Sequence, residues 1–266
     1  MKIMTYNVME GGVKPDPSRL EKVLQVIDEQ NADVFGLQET KIAKGIDNEL
    51  LHALKQAGKY QHHEVFETSG EWTYKSGVSL SSKIQPSSSR IIGDGVRAVE
   101  MIFHSKIGDI NISNVYLSHL SEAERVPQIK EMMQELRRNK GYNLIIGDFN
   151  ALSPEDGIPQ SAVDHFSPRM QEKYCKNGKL CYDTIETVLN EGYVDVGLQF
   201  FATEEITDKT NLAGGTGNHT RPIRMDFFFA KPELLLYVRD FVLVREGLAL
   251  NASDHFPWYI KLALPK

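Results

Sequence analysis

Cysteine is nearly absent from this chain: only Cys175 and Cys181 occur in 266 residues. Two thiols are too few for a disulfide framework or a four-ligand zinc site. Free thiols in a reducing compartment are expected, rather than a bridge closing the loop between them. Long apolar runs are missing too. None approaches the ~20 residues that a membrane span needs. No h-region precedes the strand-like start Lys2-Ile-Met-Thr-Tyr-Asn, so no signal peptide is expected. A soluble cytoplasmic protein is the default that follows. Positive charge is in deficit: 30 Lys and Arg face 36 Asp and Glu, a net charge of −6. The whole molecule is therefore not an electrostatic magnet for nucleic acid. A nuclease stays open, because a metal ion and a local basic rim can hold a phosphate. Repeats, low-complexity tracts and convincing linkers are lacking, and one domain over residues 1–266 is expected.

What is present is an ordinary composition, 41% hydrophobic and 25% charged, in a chain long enough to bury a sizeable core. Short apolar strands alternate with a few helices. Ile3–Val8 and Val34–Gln38 read as buried strands. Asp16-Pro17 reads as an N-cap followed by proline at the first helical position. Leu20, Val23, Leu24 and Ile27 then keep one apolar face. Asp47 is a candidate cap for a helix that turns Leu50, Leu51 and Leu54 inward and ends at Gly58. Residues 64–116 hold several strand candidates, among them Ile110-Asn-Ile-Ser, which alternates as a half-buried strand should. Ser121 with Glu124 suggests a capping box, yet Pro127 lies too deep for that start. A turn over 121–125 and a helix from about Val126 to Asn139 are expected. Asn143–Ile146, Ile223–Ala230 and Trp258–Leu264 are further strands, and Thr184–Glu191 a helix capped by Asp183. The specificity loops are placed at 59–77, 152–183 and 205–221. Pattern alone supports a mixed α and β fold.

Six polar motifs each read as the end of such a run, in the order Thr5-Tyr6-Asn7-Val8, Leu37-Gln38-Glu39-Thr40, Tyr116-Leu117-Ser118-His119, Gly147-Asp148-Phe149-Asn150, Arg224-Met225-Asp226-Phe227 and Ser253-Asp254-His255. Strand ends converging on one sheet edge would gather these groups in one pocket. Hard oxygen ligands with two imidazoles suit a divalent cation and phosphate-ester hydrolysis. Taken singly, each has a plainer reading: an exposed acid for Glu39, a turn-former for Asn7, an Asx turn for Asp148 and Asn150, a loop histidine for His119, a cap for Ser253-Asp254-His255. Asp226 differs, because a charge among Phe227, Phe228 and Phe229 in a buried strand needs a partner. His255 is the natural one, since a carboxylate on one ring nitrogen fixes the tautomer and raises the basicity of the other.

The six motifs together resemble the endonuclease/exonuclease/phosphatase superfamily, from residue 3 to residue 260. The resemblance implies a four-layer α/β/β/α sandwich of two packed mixed sheets. It implies that Glu39 is the principal Mg²⁺ ligand (Mn²⁺ is possible), with Asn7 or Asp254 assisting. Asp148 would hold or deprotonate the attacking water, and Asn150 would orient it and bind the phosphate. The Asp226–His255 pair would act at the scissile phosphate as general base or electrostatic clamp. His119 follows the deoxyribonuclease I, sphingomyelinase and phosphatase pattern, where AP endonucleases usually carry asparagine. Leu37-Gln-Glu-Thr-Lys41 and Trp72–Lys83 resemble AP endonucleases instead, although the tryptophan they often place before the strand of Asp226 is absent. Asn7, Tyr116, Arg97 and Arg224 are the expected substrate-binding residues, and Arg97, Arg221 and Arg224 are alternatively solvated strand-end charges. The basic run Arg137-Arg138-Asn-Lys140 reads as the last turn of a helix, and Gly214–Gly217 as a loop beside the site. The implied function is a Mg²⁺-dependent phosphodiester hydrolase with nucleic acid as the leading substrate and no protein partner implied. The alternatives are a phosphatase or sphingomyelinase-like phospholipid hydrolase, an AP endonuclease, and a degenerate phosphate-binding scaffold.

Overall fold

The computed structural model describes residues 1–12, 16–40, 49–66, 77–200 and 223–265. Two six-stranded sheets form its centre. Each is built on one parallel strand pair with a helical crossover. In the first, β1 (Lys2–Asn7) leads through α1 (Arg19–Gln30) to β2 (Val34–Gln38). Helix α2 (Glu49–Gln56) follows, then β3 (His62–Phe66) and β4 (Val78–Ser82). The antiparallel strands β5 (Ser88–Ile91) and β6 (Arg97–Ser105) open the second sheet. There β7 (Gly108–Tyr116) leads through α3 (Glu122–Leu136) to its parallel neighbour β8 (Tyr142–Asp148). A polar stretch follows, with α4 (Pro168–Tyr174), the hairpin β9 (Cys175–Lys176) and β10 (Lys179–Leu180), and α5 (Asp183–Asn190). The chain closes with β11 (Val194–Asp195), β12 (Asp226–Ala230), α6 (Pro232–Leu235), β13 (Val238–Leu243), α7 (Ala249–Ala252) and β14 (Trp258–Leu262). The sheet orders are β13-β14-β1-β2-β4-β3 and β11-β12-β8-β7-β6-β5.

The period-2 strand pattern sends alternate residues to opposite faces. Ile3, Val34, Leu80, Ile112, Ile146, Phe228 and Ile260 fill the layer between the sheets. On the far face of the first sheet, Met4, Tyr6, Phe35 and Leu37 meet Val23, Val26 and Ile27 of α1 and the leucines of α2. On the far face of the second, Val115, Ile145, Phe227 and Phe229 meet α3 and α5. The result is the expected α/β/β/α sandwich. One polar tie crosses its centre. The Asn114 amide donates to Leu37 O at 3.0 Å and Ser79 O at 2.8 Å, and accepts from Gln38 Nε2. Gly36 makes room for it: a Cβ there would lie 2.5 Å from the Asn114 side chain. Among the described residues, no helix is long and apolar enough to cross a membrane.

Several local expectations need correction. Helix α1 starts at Arg19 with Ser18 as its cap residue, while Asp16 accepts from the Ser18 N–H and hydroxyl. Helix α3 starts at Glu122 and carries Pro127 inside it. The proline forfeits one helical hydrogen bond, but tertiary anchors hold the first turn. Glu122 accepts from Thr184, and Glu124 accepts from Ser118 Oγ rather than closing a capping box. Arg137 and Arg138 lie just past the helix and pair with Glu191 and Glu135. Ile110–Ser113 is buried on both faces, because Asn111 and Ser113 are satisfied by Lys140 O and Glu100 beneath α3. Strand β13 was not foreseen. Both cysteines are free, and burial pushes both thiols up. Asp47, Lys41, Gly214–Gly217 and Arg221 lie outside the described residues.

Candidate active site

The carboxyl ends of the two parallel pairs meet at one edge of the sandwich. Asn7 ends β1 and Glu39 follows β2; Tyr116 ends β7 and Asp148 ends β8. Parallel pairing puts Tyr116 opposite Asp148, and antiparallel pairing puts Asp226 opposite Asp148 on the other side. His255 arrives on the link from α7 to β14. Backbone strain accompanies this convergence. Six non-glycine residues among those described have positive φ, and four of them, Met9, Glu10, Glu39 and Asn150, lie at this edge. Such conformations cost of order 1–3 kcal/mol each and persist where the surroundings over-determine them. Gly147 (φ 134°) is required at its place, since a Cβ would lie 2.1 Å from Val115 O.

Glu39 is 5% exposed. Its Oε1 accepts from Tyr116 Oη at 3.0 Å and Asn7 Nδ2 at 3.3 Å, and its Oε2 from Glu10 N at 3.1 Å. Asn7 Nδ2 also donates to Asp148 Oδ2 at 2.9 Å. The Asn7 oxygen is occupied by the Met9 N–H at 2.9 Å. Asn7, expected as a metal ligand, therefore presents N–H groups to two acids rather than an oxygen to a cation. Asp148 Oδ1 accepts from Asn150 N at 2.8 Å and Oδ2 from Asn150 Nδ2 at 3.0 Å. This is an Asx turn, with Asn150 at φ 52°, and not the extended segment assumed for two residues facing one side.

His255 Nδ1 lies 2.6 Å from Asp226 Oδ2, and its Nε2 4.0 Å from Asp148 Oδ2. Burial alone would lower the imidazole, but the carboxylates of Asp226 first, then Asp254 and Asp148, together outweigh it and push His255 up to about 10. Burial pushes Asp148 up to about 6, against the pull of His255 and Lys173. Asp148, Asp226 and His255 bring one ligand atom each within 4.8 Å of the others. Three ligand atoms this close could hold a cation; with the imidazole protonated, which cannot ligate, they could instead handle a proton. Hard oxygens suit Mg²⁺ or Mn²⁺ on the Glu39 side. The buried Oδ1 of Asp226, which accepts no hydrogen bond among the described residues, is a further oxygen able to meet a cation or its water. Asp254 is half-buried beside this edge, and its Oδ1 accepts from Ser253 Oγ at 3.4 Å.

The remaining expected residues separate. His119 is half-buried on the β7–α3 link. Arg97, opposite Tyr116 on β6, lies 4.4 Å over the Tyr116 ring and is 8% exposed. Arg224 is corrected from substrate contact to a buried ion triad: it pairs with Asp156 and Asp195 and is 5% exposed. Two residues were missed. Arg19 is buried and donates to Val8 O, Met9 O and Ala252 O, tying the end of β1 to the segment before His255. Lys173 Nζ donates to Asn150 Oδ1 at 2.8 Å. Neither sits in a recognisable motif, and each comes from an element distant in sequence.

A family model described as the endonuclease/exonuclease/phosphatase family matches residues 4–255. The chain belongs to that family. Its fold is similar to several solved structures. One is a 3′ phosphatase NExo from Neisseria bound to a product DNA hairpin (TM-score 0.71, 20% identity, 98% of this chain and 99% of that chain). Another is an AP endonuclease from Archaeoglobus fulgidus (TM-score 0.69, 19% identity, 99% and 100%). A third is a 3′-5′ exonuclease from Neisseria meningitidis (TM-score 0.68, 21% identity, 98% and 99%). At these identities the likeness shows the shared fold. Comparison with curated proteins finds no match.

Proposed function

We propose that this member of the family is a Mg²⁺-dependent phosphodiester hydrolase acting on nucleic acid, with Mn²⁺ able to replace Mg²⁺. One arrangement carries the reading. Asp148 is buried between the amides of Asn7 and Asn150, with the Asp226–His255 pair across the same strand ladder. The solved relatives that act on DNA add support at the level of substrate class. Mg²⁺ held by Glu39, with Asp254 nearby, would polarise the phosphate and stabilise charge on the leaving oxygen. Asp148, near 6, is suited to take the proton of an attacking water close to neutral pH. Asn150 would orient that water. His255, kept protonated by Asp226, puts positive charge where the equatorial oxygens become more negative. His119 would donate to a phosphoryl oxygen or the leaving group, and Tyr116 holds the Glu39 carboxylate through its hydroxyl. No covalent enzyme intermediate is needed.

The test is turnover by chelator-stripped protein with Mg²⁺ or Mn²⁺ restored. The substrates are single- and double-stranded DNA, abasic DNA, 3′-phosphorylated DNA, RNA, sphingomyelin, inositol phosphates and bis-p-nitrophenyl phosphate. Metal-dependent cleavage of a nucleic acid is expected. Turnover only of sphingomyelin or inositol phosphates moves the reading to the phospholipase or phosphatase alternative. Turnover of nothing supports the binding scaffold.

A further inference from the structure

Residues 152–183 read from sequence as an irregular specificity loop, but they carry their own small core. Leu152, Ala162, Phe166, Met170 and Tyr174 pack with Met225, the residue just before Asp226. The Phe149 N–H donates to Met225 O at 2.9 Å, which joins this core to the end of β8. Helix α4 is fixed from the other side as well. Arg125, fully buried in the first turns of α3, donates through Nη1 to Ser118 O and through Nη2 to Lys173 O. The segment is thereby held before any substrate arrives, and it delivers one ammonium to the site.

We infer that Lys173 is a positioning residue that sets the Asn150 carboxamide, and through it Asp148, in the orientation needed for water attack. The inference rests on the hydrolase reading above. An asparagine amide can present either its oxygen or its NH₂ in a given direction, and only its partners decide which. Lys173 Nζ lies 2.8 Å from Asn150 Oδ1 and carries only donors, so that end must be the oxygen. The NH₂ then faces Asp148 Oδ2 at 3.0 Å and Leu117 O at 3.2 Å, both acceptors. Reversing the amide would set its NH₂ against an ammonium and its oxygen against a carboxylate and a carbonyl. Lys173 therefore fixes the choice, and its charge also pulls on the Asp148 carboxyl. Met225 Sδ, 3.6 Å from Nζ, and the Tyr174 ring, 5.0 Å away, keep the ammonium from swinging out. Groups held by packed neighbours lose little freedom on reaching the reactive geometry.

The test has two independent arms. In the first, the side-chain NH₂ signals of Asn150, assigned by their loss in Asn150→Asp, are followed by NMR in protein without metal or substrate. Lys173→Met should shift and broaden them and leave the Asn7 signals in place; Lys173→Arg should largely restore them. Unchanged Asn150 signals in Lys173→Met overturn the inference, whatever the enzyme's activity. The second arm measures kcat and KM on whichever substrate the wild type cleaves. Lys173→Met is expected to lower kcat about 10–100-fold with KM within about threefold, and Lys173→Arg to recover most of it. In the Asn150→Ala background the same change should add less than about threefold, because residues acting as a unit are not additive. Full additivity overturns the inference by assigning Lys173 an effect that bypasses Asn150. A wild type that cleaves nothing fails the hydrolase reading, and the NMR arm still decides the placement of Lys173.

Discussion

Asp226 and Asp148 stand directly opposite each other across the β8–β12 ladder, and His255 lies against both. Its Nδ1 is 2.6 Å from Asp226 and its Nε2 4.0 Å from Asp148. Burial pushes the Asp148 carboxyl up, the His255 charge pulls against that, and the Asp226 charge adds to it. The three residues form a unit, and kinetics should treat them as one. His255→Ala is expected to lower kcat by at least ~10²-fold, the scale of a positioned acid–base group. Asp226→Asn should lose nearly as much, and the double variant little more than the worse single. Steady-state kinetics on the four proteins checks this, and multiplying losses would dissolve the unit.

The same pair gives stability a pH signature. His255 is raised in the folded state, to about 10 from an ordinary 6.5. Its contribution is complete below about 6.5 and is lost as pH climbs through about 10. Lys2 runs the other way in this window. Burial first, then the Lys261 and Lys83 charges, push it down to about 8, so the Lys2 contribution improves as pH rises. Asp148, near 6, titrates below the window. The informative quantity is therefore a difference: the fall in urea midpoint from pH 7 to pH 9.5, in EDTA, should be larger for wild type than for Asp226→Asn. Equal falls would show that Asp226 is not what holds the proton on His255.

Arg224 offers a contrast between structural and functional cations. Its guanidinium lies between Asp156 and Asp195, all three nearly excluded from solvent. Removing one member of a buried ion network strands the others, at about 3–5 kcal/mol. Arg224→Met should cost about that much in denaturant unfolding. Under conditions where the variant is folded, KM should stay near wild type. A large rise in KM with little loss of stability would return Arg224 to the substrate.

The layers of this fold were legible because strand ends and helix faces carry strong local patterns. Val34–Gln38 runs as apolar residues into a polar end, and Leu50, Leu51 and Leu54 point inward as their spacing requires. The motif residues could be gathered because they lie at strand termini: Asn7 and Asp148 end β1 and β8, and Asp226 begins β12. What stayed hidden depends on three-dimensional partners. Pro127 sits inside α3 because Thr184, 62 residues from its partner Glu122, and Ser118, on the link before the helix, anchor the first turn. Lys173 and Arg19 act through carbonyls and an amide supplied by distant segments. Arg224 resembled a strand-end charge until its two carboxylates, 68 residues away in one case, were in place.

Metal dependence is the expected outcome of the donor set on the Glu39 side. Glu39→Gln keeps the acceptor for Tyr116 but removes the charge a cation needs. The Mg²⁺ concentration for half-maximal activity should rise at least ~10-fold, about 1.4 kcal/mol of binding. Activity should vanish in EDTA and return with Mg²⁺ or Mn²⁺. A metal titration of both proteins decides it, and full activity in chelator would remove the cation from the mechanism.

Substrate preference can be argued from where the positive charge goes. A protein that grips duplex DNA spends many Lys and Arg on phosphates. Here the net charge is −6, and three arginines near the site, among the described residues, are turned inward. Arg19 donates to three carbonyls, Arg97 covers the Tyr116 ring, and Arg224 is neutralised by two acids. His119 also stands where AP endonucleases usually carry asparagine. A general nuclease or phosphodiesterase with weak abasic-site selectivity is the expected outcome. Comparing kcat/KM on an abasic duplex, an intact duplex and a single strand at equal salt tests it. A preference for the abasic duplex above ~10³-fold, or ~4 kcal/mol of discrimination, would mean that the site reads the lesion. That result would favour the resemblance carried by Leu37–Lys41 over the one carried by His119.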